Sequence, residues 1–263
     1  MELTSRGRRV LSARPEGVLV VGWLAALVLA WAASPARTLP GPREVADALH
    51  DLWWNGGLGP ELFTTIKLVL VATLLSVGIS FLLAWTSVMA YLRPLGAIVS
   101  KLRFLGLTGL VFPFTLATGG GFALKVTLLT FGMTTFLATA LTRIVDEERA
   151  SHHVDFVRSL GASRARVVYE ALIRGPLDRS LDAIRQNVAM GWSMITMVEG
   201  IARSDGGVGA LLLTENKHFR LAEVYAVLVV VLLVGLAIDR AMSAFSHLLC
   251  PHTRKDLGHD CGS

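Results

Sequence analysis

The chain has 263 residues, 53% of them hydrophobic and only 17% charged, with a mean hydropathy of +0.57. Soluble domains usually carry charge on about a quarter of their residues, so this composition excludes an ordinary water-soluble globular protein. The net charge of +5 is no argument for nucleic acid, because the basic residues are distributed as in a membrane protein.

The apolar residues come in blocks, and runs of roughly 18 or more are long enough to cross a bilayer core. Predicted spans are 17–33, 65–92, 104–118, 121–142, 186–202 and 222–245, with 104–118 short and 186–202 polar for a span. The first follows Arg6, Arg8 and Arg9 and so mimics a signal peptide. No clean small-residue cleavage site precedes a soluble domain, and apolar spans continue downstream, so it reads as a retained anchor helix.

Residues 34–60 hold Pro35, Pro40, Pro42, Asn55, Gly56, Gly57, Gly59 and Pro60, which mark a loop with a short helix expected at 43–54. Trp53 and Trp54 then suit anchoring at a bilayer interface. Only Gly119-Gly120-Gly121 separates the third and fourth spans, which permits a tight hairpin because glycine accepts positive φ. Pro113 should kink or shorten the third span.

Charge sets the expected orientation. Segments 1–16, 91–103, 143–185 and 240–263 hold four, three, eight and three Lys or Arg, 18 of the chain's 25. Basic residues favour the cytoplasmic side of short loops, so both termini are expected in the cytoplasm. Cys250 and Cys261 fall in the tail on that side, where thiols stay reduced. With His252 and His259 they match no common zinc spacing, and no metal site is expected.

The polar island 143–185 is expected to form a helix–turn–helix bracket under the bilayer, 144–160 and then about 163–174. Gly161 is a residue type enriched just past helix ends, and Ser163 suits a helix N-cap. Val167, Val168, Ala171 and Leu172 share one face of the second helix, and Arg166, Glu170 and Arg174 the other. His152 and His153 read as solvated helix-start residues.

Within the island, Val154-Asp155-Phe156-Val157-Arg158-Ser159-Leu160-Gly161-Ala162-Ser163 resembles the cytoplasmic coupling motif of ABC-transporter permeases, specifically type I importers of the nitrate/sulfonate/taurine-type family. Asp155 stands where the family has Glu, Phe156 and Val157 replace two alanines, and Arg158, Leu160, Gly161, Ala162 and Ser163 match directly. Thr64-Thr65-Ile66-Lys67, Leu124-Lys125-Val126, the stretch from Asp182 to Glu199 with Arg185 and Trp192 in register, Gly206-Gly207-Val208-Gly209, Val224-Tyr225-Ala226 and Gly235-Leu236-Ala237-Ile238-Asp239 resemble further family segments. Ile173-Arg174 stands where the family has Leu-Pro, with proline arriving at Pro176, which marks a divergent member. The resemblance spans about 60–250.

It implies an all-α integral membrane protein of type I ABC importer permease fold, about six transmembrane helices with a cytoplasmic coupling helix. The chain would divide into an anchor helix and outer loop (1–60), a permease core (61–249, with coupling region 143–185) and a cytoplasmic tail (250–263). Its partners would be an ABC ATPase subunit, a solute-binding protein, a second permease copy as a homodimer, and the lipid bilayer of a bacterial inner membrane; no nucleic acid is expected. Val154, Asp155, Val157, Arg158, Leu160, Gly161, Ala162 and Ser163 would contact the ATPase. Val154, Val157 and Leu160 repeat at helical spacing and suit an apolar groove, while Asp155 and Arg158 fix orientation by charge. The cargo would be a small anion or organic acid such as nitrate, sulfonate or taurine.

The chain contains no glycine-rich phosphate loop ending in Gly-Lys-Ser/Thr. It therefore cannot itself supply the ATP site; no cofactor of its own is expected, and ATP and Mg would be used by a separate ATPase subunit. Ionisable and polar side chains within spans usually face a bundle interior or watery cavity, which nominates Lys67, Lys125, Asn187, Trp192 and Glu199 for the translocation pathway. Simpler roles compete: the lysines snorkelling to headgroups, Glu199 pairing with Arg203 one turn on, and the polar fifth span making helix–helix contacts. No Ser/His/Asp, Cys/His or paired-carboxylate set lies at depth, so a membrane-embedded enzyme is disfavoured. A structural or regulatory membrane subunit would have the same spans without ATP dependence.

Overall fold

The computed structural model describes residues 22–23, 25–26, 29, 31, 40–88, 93–149 and 176–249. Among them are eight α-helices: α1 (Pro42–Trp54), α2 (Leu58–Val88), α3 (Arg93–Leu102), α4 (Leu107–Thr118), α5 (Gly121–Arg149), α6 (Leu177–Ile201), α7 (Val208–Lys217) and α8 (Leu221–Leu249). A single 3-10 turn, Arg203–Asp205, precedes α7, and no strand occurs among the described residues.

The central helix is α5, packed against α2, α6, α3 and α4. Its most extensive contact is with α2, for a reason visible in the residues. Ala72, Ser76, Ser80 and Ala84 fall four apart and are all buried. Small side chains at that spacing let helix backbones approach closely where lipid offers no hydrophobic drive. Ser80 Oγ donates to the Thr134 carbonyl across this seam at 3.4 Å. Beside it, Leu68 and Val69 of α2, Leu129 and Met133 of α5, and Trp192 and Ile195 of α6 form one apolar core. A second core joins Val45 and Leu52 of α1 to Val208 of α7 and to Ala226, Val227 and Val230 of α8.

The outward faces are as apolar as the core. Phe63, Leu70, Leu74 and Leu82 of α2 and Leu232, Leu233 and Leu236 of α8 are exposed. Contiguous apolar surface of this kind marks contact with a membrane or partner. Among the described residues, three helices are long and apolar enough to cross a bilayer: Leu58–Ala84, Gly121–Glu148 and Leu221–Ser246.

The six expected spans are therefore matched only in part. Helix α4 has 12 residues with Pro113 inside it, too short to cross by itself. Helix α6 has 25, but its first nine include Asp178, Arg179, Asp182 and Arg185. Several helices outrun the apolar runs that announced them, because backbone hydrogen bonding continues after hydropathy falls. Helix α2 thus begins at Leu58 instead of 65, and α6 at Leu177 instead of 186. The expected 43–54 helix is α1. The glycine hairpin is also present, with φ of 77°, 93° and 66° at Gly119, Gly120 and Gly121. Helix α3 falls where only a basic connection was expected. The remainder of the first span, the tail after 249 and the island residues 150–175 lie outside the described residues.

Candidate translocation site

At the hairpin end of the bundle, four helices meet around the glycine-rich turn 206–209. The first N–H groups of any helix lack intrahelical partners, and α7 satisfies three of them with side chains distant in sequence. Gly207 N–H donates to the Glu61 carboxylate. Val208 N–H donates to Thr65 Oγ1 at 3.0 Å, and Gly209 N–H to Glu199 Oε2 at 2.8 Å. Thr65 Oγ1 in turn donates to Glu199 Oε1 at 2.8 Å. Carboxylates suit the positive end of a helix dipole, so α2 and α6 together cap α7.

Lys125 closes the cluster from α5. Its Nζ donates to the Gly206 carbonyl at 2.6 Å, and its charge acts on Glu199, Asp205 and Glu61. Lys125 and Glu199 are both 0% exposed, and the lysine's charge acts on the carboxylate from nearby without a direct ion pair between them. The turn fits this cluster through its glycines. Gly207 has φ 104°, outside the usual range of side-chain-bearing residues, and a Cβ at Gly209 would lie 2.5 Å from the Thr196 carbonyl oxygen.

The five nominated pathway residues thus separate. Lys125 and Glu199 come together in the clamp. Glu199 is not paired with Arg203, whose Nε instead donates to the Gly200 carbonyl at 3.1 Å. Lys67 is exposed, with its ammonium 5.5 Å from the centre of the Phe122 ring, a cation–π contact. Trp192 is buried between α6 and α8, where Nε1 donates to the Val231 carbonyl at 3.0 Å. Asn187 is buried against α5, and both its carboxamide atoms are without a partner.

A cleft of 490 Å³ runs between α6 and α8, beside Trp192 and Gly235. It ends at Arg185 and Asp239, which form a two-pronged ion pair at 2.7 and 3.0 Å. Such paired charge-assisted bonds fix geometry as well as adding energy. On α6 itself, Asp182, Gln186, Ala189, Ser193 and Met197 are exposed at helical spacing. This stripe is polar or soft, unlike the apolar faces of α2 and α8.

A "probable ABC transporter permease protein" of Brucella melitensis biotype 1 is 24% identical over 223 residues, covering 81% of this chain and 86% of that protein. A counterpart in Brucella abortus is also 24% identical over 223 residues, covering 85% of that protein. A chain from a crystal structure of an amino acid ABC transporter with histidines superposes with a TM-score of 0.64 at 15% identity, covering 76% of this chain and 98% of that one. The chain is similar to ABC transporter permeases. No protein-family model matches it.

The fold is thus shared with a chain of that amino acid ABC transporter structure. Sequence reasoning missed Glu61 as the partner of the Gly207 N–H and Thr65 as a partner of Glu199. The available signal was their spacing of four at the start of α2, which puts both on one face. The residues expected to contact an ATPase, Val154, Asp155, Val157, Arg158, Leu160, Gly161, Ala162 and Ser163, lie outside the described residues.

Proposed function

We propose that the chain is the permease subunit of an ATP-driven ABC importer in a bacterial inner membrane, with both termini cytoplasmic. The observation that carries this reading is similarity to permeases along 223 residues, together with the coupling-type segment at 154–163. A separate ABC ATPase works the bracket at 152–175, and a solute-binding protein delivers cargo at the hairpin end. Two copies enclose the pathway, a homodimer in which the exposed stripe of α6 faces its equivalent. The region 61–249 forms the permease core and 1–60 the anchor and outer loop.

The polar clamp of Glu61, Thr65, Lys125 and Glu199 holds the outer ends of α2, α5, α6 and α7 as one rigid body. Movement imposed at the inner end then reaches the outer mouth without being absorbed by the loop. The cargo in this reading is a small anion or organic acid such as nitrate, sulfonate or taurine, for which Lys67 offers an exposed cation at that mouth. A second reading, an amino acid, is favoured by the solved neighbour, described as an amino acid ABC transporter.

The test is uptake into proteoliposomes containing the chain with its cognate ATPase and binding protein. Radiolabelled nitrate, taurine and histidine should separate the two cargo readings. Gly161→Trp should insert normally yet lose ATP-driven uptake; undiminished uptake by that variant would contradict the docking role.

A further inference from the structure

A second polar site lies at the opposite end of the bundle from the clamp. A cavity of 230 Å³ opens between α5, α6 and the residue that follows α3, lined by Arg103, Thr139, Arg143, Gln186 and Asn187 among others. Two features mark it as a candidate site. Asn187 is only 4% exposed, and neither its amide nitrogen nor its carbonyl oxygen has a hydrogen-bond partner. Buried polar atoms are nearly always satisfied, and an exception calls for a missing partner.

The second feature is charge. Arg103 and Arg143 line the mouth, and neither forms an ion pair among the described residues; Arg103 lies 5.1 Å from the Phe104 ring centre. The nearest engaged acid on α6 is Asp182, whose carboxylate accepts from Gln186 Nε2 at 2.9 Å. Two guanidinium groups above an unsatisfied carboxamide make a donor-rich recess suited to an oxyanion.

Depth supplies the remaining argument. Arg143 is 22 residues beyond Gly121 on α5, and at 1.5 Å per residue that is about 33 Å along the axis. A bilayer core is about 30 Å thick, so with Gly121 at one interface Arg143 stands at the other. Basic pockets between helices at headgroup depth bind anionic headgroups.

We infer that Arg103, Arg143 and Asn187 form an oxyanion-binding site at the membrane interface, occupied by the phosphate of an anionic phospholipid or by a free oxyanion of the same chemistry. Asn187 offers its amide hydrogens, and the two arginines supply charge. The inference rests on the chain spanning a membrane and not on its transporting anything.

The full chain is placed in nanodiscs of phosphatidylcholine alone, or with one quarter phosphatidylglycerol, and its unfolding temperature measured. Inorganic phosphate is titrated separately into the phosphatidylcholine discs. Stabilisation by phosphatidylglycerol only identifies the lipid as occupant; stabilisation by phosphate alone identifies the free anion. In either case Arg103→Gln/Arg143→Gln should weaken the apparent affinity at least tenfold. Asn187→Leu should fold stably and lose the response. The proposal is overturned if neither probe shifts the wild type, or if the variants respond as the wild type does. Failure of the uptake assay would leave this result untouched, since no ATPase is present.

Discussion

Replacing Lys125 with Met keeps the length of the side chain and removes only its charge. The ammonium is 0% exposed and donates to the Gly206 carbonyl at 2.6 Å. Its loss leaves that carbonyl unsatisfied and the fully buried Glu199 without its cation. Stranding a buried acceptor beside a buried carboxylate that also loses its nearby counter-charge costs about 3 kcal/mol. At roughly 2–4 °C per kcal/mol for a chain of this size, the midpoint should fall by about 10 °C. Fluorescence-detected size-exclusion after stepwise heating in detergent measures it. Adding Glu199→Gln to Lys125→Met should recover part of the loss, since the orphan charge disappears. A Lys125→Met midpoint within about 2 °C of wild type, or a double variant worse than the single, would refute the reasoning.

Gly209→Ala should lower the same midpoint, because the new methyl meets the Thr196 carbonyl and Cα, which are backbone atoms with little freedom to yield. Overpacking of this kind costs about 1–3 kcal/mol. Thr65→Val keeps the shape but strands Glu199 Oε1 and the Val208 N–H. A loss of about 1–3 kcal/mol is expected, and hydrogen exchange should rise at 207–209 before it rises in α5. The Gly161→Trp variant described above should lose ATP-driven uptake while its midpoint stays at the wild-type value.

Local chemistry was the most legible part of the sequence. The three consecutive glycines at 119–121 announced the hairpin, and prolines and glycines bracketed α1. Long-range pairing was not legible. Glu199 invited a partner one turn away, Arg203, but its partners are Thr65 and Gly209, brought to it by helix packing. Helix α3 was hidden in a basic segment, although Leu95, Ile98, Val99 and Leu102 repeat at helical spacing. The fifth span, 186–202, reads as polar because Gln186, Asn187, Ser193 and Thr196 interrupt its apolar residues. Asn187 stands out in the sequence as a polar side chain within a span, but the arginines beside it come from α5 and from the residue after α3.

The central claim is that a short cytoplasmic bracket links this membrane bundle to a separate ATPase. With Cys250 and Cys261 changed to Ser, Ala162→Cys provides a single thiol in the bracket. A short maleimide photocrosslinker attached to this cysteine in the reconstituted complex should, on illumination, join it to the ATPase and arrest uptake. Labelling of the same cysteine by a membrane-impermeant maleimide from outside the cell, or sustained uptake without any adduct, would contradict the account.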